Sequence, residues 1–95
     1  MRDYGGAFDI DPHSFWTGED RDELRSELED RLESRGIKIT GAWIDYNNLI
    51  EIEFEYEDAS YTVTEQIKMR KIKKPYDLIE IYAPIIEEKI LKTIE

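Results

Sequence analysis

The chain has 95 residues, with 23 Asp plus Glu against 13 Lys plus Arg and a formal net charge of −10; that suits one domain with one modest core and no deep inter-domain cleft. Hydrophobic residues make up 40% and aromatics 12%, enough for a packed fold, which excludes a disordered acidic tail. With no cysteine and a single histidine, a disulfide scaffold, a thiolate-bound metal and a multi-histidine site are excluded.

Residues 1–16 show no clear period. Gly5-Gly6 and Pro12 interrupt them, and Tyr4, Phe8, Phe15 and Trp16 are scattered among them. They read as an irregular N-terminal arm docked by its aromatics, followed by a single domain over 17–95. Thr17 is a favourable N-cap, with Glu19 and Asp20 in the first turn where acids suit the positive end of the helix dipole. Leu24, Leu28 and Leu32 form an i, i+4, i+8 apolar stripe, and Gly36 is placed to stop the helix after Arg35. Glu19, Glu23, Asp30 and Glu33 fall nearly opposite the leucines.

The middle of the chain reads as a three-stranded antiparallel meander. Asn47-Asn48 suits a two-residue hairpin loop, because Asn tolerates positive φ. Closing the hairpin there sets Trp43 against Ile52, Gly41 against Phe54 and Ile39 against Tyr56 on a core face. A second turn at Asp58-Ala59 sets Tyr56 against Tyr61, Phe54 against Val63 and Ile50 against Ile67. Both loops bury the same face of 49–57, which makes it the central strand; Glu65 is the misfit, pointing inward opposite Ile52. Pro75 suits the first turn of a last helix, in which Leu78, Ile79, Tyr82, Ile86, Ile90 and Ile94 form a stripe that Pro84 is expected to kink or divide. The predicted class is α+β, an αβββα(α) two-layer sandwich with its helices on one sheet face.

The charge is uneven. Residues 1–60 hold 17 acids and 6 bases, and residues 61–95 hold 6 acids and 7 bases. In Glu51-Ile52-Glu53-Phe54-Glu55-Tyr56-Glu57 the glutamates alternate with apolar residues, so Glu51, Glu53, Glu55 and Glu57 are expected on one sheet face. Same-side neighbours on a strand stand ~6.7 Å apart, comparable to successive phosphates along a nucleic-acid strand. Two accounts stay open, an ordinary solvated strand face or a phosphate-like column that fits a basic groove; a straight row does not converge as a calcium site requires. Asp9, Asp11 and His13 read as a loop with Asx-type turns rather than half a metal site. Lys68, Arg70, Lys71, Lys73 and Lys74 form a basic cluster at the end of the third strand, expected to neutralise Glu51 or protect an edge. Ile44, Tyr46 and Leu49 fall on the outer sheet face, either under the N-terminal arm or as an apolar anchor for a partner.

No nucleophile elbow or glycine-rich phosphate loop is present, so no enzyme activity and no cofactor are expected. The start of the chain has no apolar run of signal-peptide length and no stretch approaches the ~18 apolar residues of a membrane span. A soluble protein in the cytoplasm of a bacterial host is the expectation.

The order helix, three strands, helix resembles the double-stranded-RNA-binding domain over residues 17–94, with Lys71-Ile72-Lys73-Lys74 ahead of the last helix as a basic run is there; a charge of −10 opposes that activity. The length, element order, acidity and Pro84-divided last helix also resemble the small acidic phage proteins that inhibit CRISPR effectors, in particular Cas9-inhibiting anti-CRISPR proteins. That resemblance is architectural and electrostatic. It implies a non-enzymatic inhibitor or DNA mimic that occupies the arginines and positive channels of a nucleic-acid-binding host protein. The contacts expected are Glu51, Glu53, Glu55 and Glu57, supported by Glu23, Asp30, Glu33 and Tyr46. Direct binding to nucleic acid or membrane is not expected, and the protein is expected to be a monomer or homodimer. The alternative is a small phage or bacterial structural protein acting through self-association.

Overall fold

The computed structural model describes residues 16–74 and 76–95. The order is helix α1 (Gly18–Leu32), a 3-10 turn (Glu33–Arg35), strands β1 (Lys38–Ile44), β2 (Leu49–Tyr56) and β3 (Ala59–Gln66), a second 3-10 turn (Met69–Lys71) and helix α2 (Asp77–Ile94). The strands form one antiparallel sheet in the order β1-β2-β3. This is the α+β meander sandwich read from the sequence.

Helix α1 starts where its cap residues dictate. The Thr17 hydroxyl accepts from the Asp20 amide, and the Asp20 carboxylate accepts from the Thr17 amide at 2.9 Å, a reciprocal capping box. At the other end Gly36 takes φ 75°, a left-handed conformation in which a glycine carries no steric cost. Leu24, Leu28 and Leu32 are fully buried and meet Leu78, Tyr82, Ala83, Ile86 and Ile90 of α2 in one core with Ile50, Ile52 and Phe54 of β2. Both helices therefore lie on the face of the sheet that carries those β2 residues. Arg31 ties the helices together, its guanidinium bonding Glu27 at 2.8 Å and Glu87 at 2.9 Å; these two carboxylates hold it charged by raising its pKa further.

Helix α2 runs unbroken through Pro84, contrary to the division expected there. The proline costs the helix one N–H bond, but it sits on the exposed side, while the stripe from Leu78 to Ile90 stays buried on both sides of it. Packing outweighs the lost bond. Ahead of the helix, the Asp77 carboxylate accepts from the amides of Lys73 at 2.7 Å and Lys74 at 2.9 Å, and these bonds hold its pKa below the ordinary carboxylate value.

The β1–β2 register differs from the sequence expectation by one residue. Trp43 stands opposite Glu51, Ala42 opposite Ile52 and Gly41 opposite Glu53. The cause is the loop. The Asp45 carboxylate accepts from the amides of Asn47 at 2.8 Å and Leu49 at 3.0 Å, and Asn48 is left-handed at φ 62°. The Asp45 amide donates to the Leu49 carbonyl, and the Asn48 amide to the Asp45 carbonyl. Tyr46, Asn47 and Asn48 thus make a three-residue loop, not the two-residue Asn47-Asn48 turn. A one-residue slip exchanges the two faces, so Trp43 points outward while Ala42 and Ile44 pack against the core. A bulge between Ile39 and Gly41 then restores the inward direction of Ile39, opposite Phe54.

The β2–β3 register also differs, but by two residues, which preserves the faces. The turn is Glu57-Asp58, both with positive φ of 52° and 67°, as a type I′ hairpin requires. Phe54 meets Tyr61 in a stacked pair with centroids 5.2 Å apart, and Ile52 meets Val63. Glu65 lies opposite Ile50, and its carboxylate is met by Lys89 Nζ of α2 at 2.7 Å. The misfit is thereby paired rather than left as a lone charge in the core.

The indole of Trp43 lies over Gly41, where a Cβ would overlap the ring atoms Cη2 and Cζ3. Gly41→Ala is therefore expected to cost ~1–3 kcal/mol in urea denaturation, as overpacking does. In a Trp43→Ala background the same substitution should cost under half as much. An additive pair of effects would contradict this placement of the ring.

Candidate partner-binding surface

Because β2 alternates strictly, its polar half leaves the core together. Ile50, Ile52 and Phe54 are fully buried, and Glu51, Glu53 and Glu55 are exposed on the sheet face that neither described helix covers. The neighbours on that face follow from the registers. Across from Glu51 stand Trp43 and Thr64, across from Glu53 stand Gly41 and Thr62, and across from Glu55 stand Lys38 and Ser60. None of the three carboxylates forms an ion pair with a described residue. Like charges in a row on one strand face disfavour one another, so this row costs stability in the free protein.

Glu57 does not extend the row. Its φ of 52° puts it in the β2–β3 turn, beyond the end of the strand at Tyr56. Tyr46 is 65% exposed in the β1–β2 loop, next to Asp45 and at the same end of the sheet as Trp43. Of the expected outer patch, Ile44 packs against the core and Leu49 is half-buried, so the aromatic presented by the open face is Trp43, 43% exposed. A two-residue loop would turn it inward. Asp45, with its capacity to hold a turn two residues ahead, was the signal for the longer loop.

The helix acids are exposed as expected but belong to a different surface. Glu23 and Asp30 line an acidic groove between the helices with Glu19, Asp22, Glu27 and Glu80, alongside Tyr76 and Ile79. Glu33 lies with Glu29 and Asp30 beside Lys38 in a smaller depression. Since α1 presses its leucines onto the inner sheet face, the sheet separates the acids of the inter-helix groove from Glu51, Glu53 and Glu55, whereas Glu33 shares its depression with Lys38, the cross-strand partner of Glu55. The groove was not legible from α1 alone, because its other wall is supplied by α2.

The cluster Lys68, Arg70, Lys71, Lys73 and Lys74 follows β3 rather than ending it. It is exposed, and none of its cations pairs with Glu51 or with any other described carboxylate. Lys74 Nζ instead sits 5.5 Å from the ring centroid of Tyr76. The edges are met by other cations: Arg25 of α1 donates to the Ile39 carbonyl of β1, and Lys89 of α2 to the Thr64 carbonyl of β3.

Trp16 ends the N-terminal arm as a buried residue, its indole N–H donating to Asn48 Oδ1 at 3.0 Å. The rest of the arm lies outside the described residues, as do Asp9, Asp11, His13 and Pro75. Among the described residues no three His, Asp or Glu side chains are grouped so as to hold a metal ion, and no helix is long and apolar enough to cross a membrane. Comparison with protein-family models, curated proteins and solved structures found no match for the chain.

The two tryptophans make the open face measurable. Replacing Trp43 with Phe should remove most of the acrylamide-quenchable fluorescence and leave the buried Trp16 signal. With each ion normalised to its quenching of N-acetyltryptophanamide at the same ionic strength, caesium should quench Trp43 more than iodide does, because the neighbouring carboxylates attract cations and repel anions. Equal normalised quenching by the two ions would contradict the charge placement.

Proposed function

We propose that the protein is a non-enzymatic acidic inhibitor, a DNA mimic that docks on the basic nucleic-acid-binding groove of a host protein such as a CRISPR effector of the Cas9 kind. The observation that carries this reading is the row Glu51, Glu53, Glu55, exposed and without an ion pair to any described residue, on a strand whose other face is the centre of the core. Burial of Ile50, Ile52 and Phe54 holds the backbone rigid, so the carboxylates keep a fixed spacing without ordering long loops. A partner's arginines would meet them by charge-assisted, bidentate bonds. The self-repulsion present in the free row disappears once those cations arrive. The net charge of −10 adds long-range attraction to a positive groove and speeds encounter.

A second reading, a structural or assembly protein acting through self-association, draws on the exposed Trp43 of the same open face. Stacking two copies through that face would bring two glutamate rows together. Pairing them by their edges would displace the Arg25 and Lys89 bonds. Both costs favour the inhibitor reading, and sedimentation separates the two: a tight dimer that hides Trp43 supports assembly.

The direct test is inhibition of target-DNA cleavage by a Cas9-type effector. Replacing Glu51, Glu53 and Glu55 together with Gln should weaken binding at least ~100-fold, given ~1.5–3 kcal/mol for each hydrogen bond to a charged group. The thermal midpoint should stay equal or rise slightly. Affinity should fall steeply with added salt, since exposed charges are screened. A flat salt dependence, or full inhibition by the Gln variant, overturns the proposal.

A further inference from the structure

We infer that the open sheet face selects arginine over lysine in its partner, with Trp43 as the anchoring residue. This rests on the reading of the face as a docking surface for a basic partner, and adds which cation it takes and which side chain recognises it. The indole is laid flat by its own strand: Gly41, two residues back on the same face, has no Cβ to lift it. The ring is 43% exposed and so offers one face to solvent. Glu51 stands directly across the strand pair from Trp43, and Glu53 directly across from Gly41, beneath the ring. Directly opposed residues have Cβ atoms ~4.5–5.5 Å apart, and the two carboxylates are ~6.7 Å from one another along the strand. On the far side the neighbours are Thr64 and Thr62, which bring no opposing charge. The only basic residue in these cross-strand pairs, Lys38, stands opposite Glu55, so the anionic character is least offset beside Trp43.

An aromatic plane next to two carboxylates matches a guanidinium in three ways. The guanidinium is planar and stacks on the indole, it is more weakly hydrated than an ammonium, and its fork of N–H donors bonds a carboxylate in bidentate fashion. An ammonium is a compact, strongly hydrated charge and gains less from the flat ring. A basic segment bearing arginine is therefore the occupant whose chemistry complements this face. A segment with the same charge carried by lysine should bind through the glutamates alone.

The test compares hexa-arginine with hexa-lysine peptides, titrated against the full chain at low salt by calorimetry. Wild-type protein should bind hexa-arginine at least ~5-fold more tightly. Trp43→Leu should reduce the preference to under twofold, and Trp43→Tyr should keep part of it, with thermal midpoints confirming that both variants fold. The Gln variant at 51, 53 and 55 should lose both peptides. Equal affinity for the two peptides, or an arginine preference that survives in Trp43→Leu, overturns the inference while leaving the charge-based reading intact. Undiminished binding by the Gln variant overturns that reading as well. So does binding lost only on substituting Glu23 and Asp30, because it places the peptide in the helix groove.

Discussion

Asp45 decides which face of β1 is which. Its carboxylate holds the amides of Asn47 and Leu49, and the backbone closes around them through the Asp45–Leu49 and Asn48–Asp45 bonds. That pins three residues in the loop instead of two. The parity of β1 follows: Ala42 and Ile44 enter the core, and Trp43 leaves it. The same loop is gripped from two further directions, by the indole N–H of Trp16 on Asn48 and by the Gln66 amide on the carbonyls of Asn47 and Asn48. Glycine at 41 is then required, because the outward indole needs the space above it. The bulge between Ile39 and Gly41 is the second consequence. Without it, the slipped parity would carry Ile39 out of the core, where it is now 1% exposed.

Core and charge are the two halves of one alternation on β2. Each of Ile50, Ile52 and Phe54 that reaches the helices requires a neighbour that reaches water. Polarity there is unavoidable, but three carboxylates are not; the facing positions on β3 use Ser60, Thr62 and Thr64 to the same end. The molecule also shows that it can pair an acid where pairing matters. Glu65, half-buried, has Lys89, and Glu27 and Glu87 share Arg31. Glu51, Glu53 and Glu55 have no such partner among the described residues, and they fall on the sheet face that neither described helix covers.

Much of the architecture was legible in the sequence because its signals are local. Thr17 with Asp20, the leucine stripe and Gly36 specify α1 within one stretch of chain. The alternation in 49–57 specifies the buried face of the central strand without reference to either neighbour. What was not legible depends on single residues in loops. An error of one residue at Asn47-Asn48 reverses a strand, whereas the error of two at Glu57-Asp58 only slides it, so the first moved Trp43 and Ile44 while the second left every face correct. It did, however, remove Glu57 from the row, because the turn needs its left-handed conformation. The helix groove was hidden for a different reason: Glu80, Tyr76 and Ile79 join the α1 acids only once α2 has docked, and periodicity within one helix does not say where the next one lies.

The separation of the acids bears on the shape of partner the proposed function requires. Glu51, Glu53 and Glu55 project from the sheet, and Glu23 and Asp30 line a groove in the helix layer behind it. A flat basic patch would engage one of these surfaces and leave the other in water. A channel with cationic walls on both sides would engage both, and such channels are what nucleic-acid-processing proteins use to enclose a polyanion that carries charge around its circumference. For the isolated protein, acids on opposite faces are also the less repulsive arrangement, because Coulomb repulsion falls with distance and is screened beyond ~10 Å at moderate salt. Two surfaces on one rigid core thus satisfy both conditions: they lower the self-repulsion of a chain carrying −10, and they present charge on the sides from which an enclosing partner would approach.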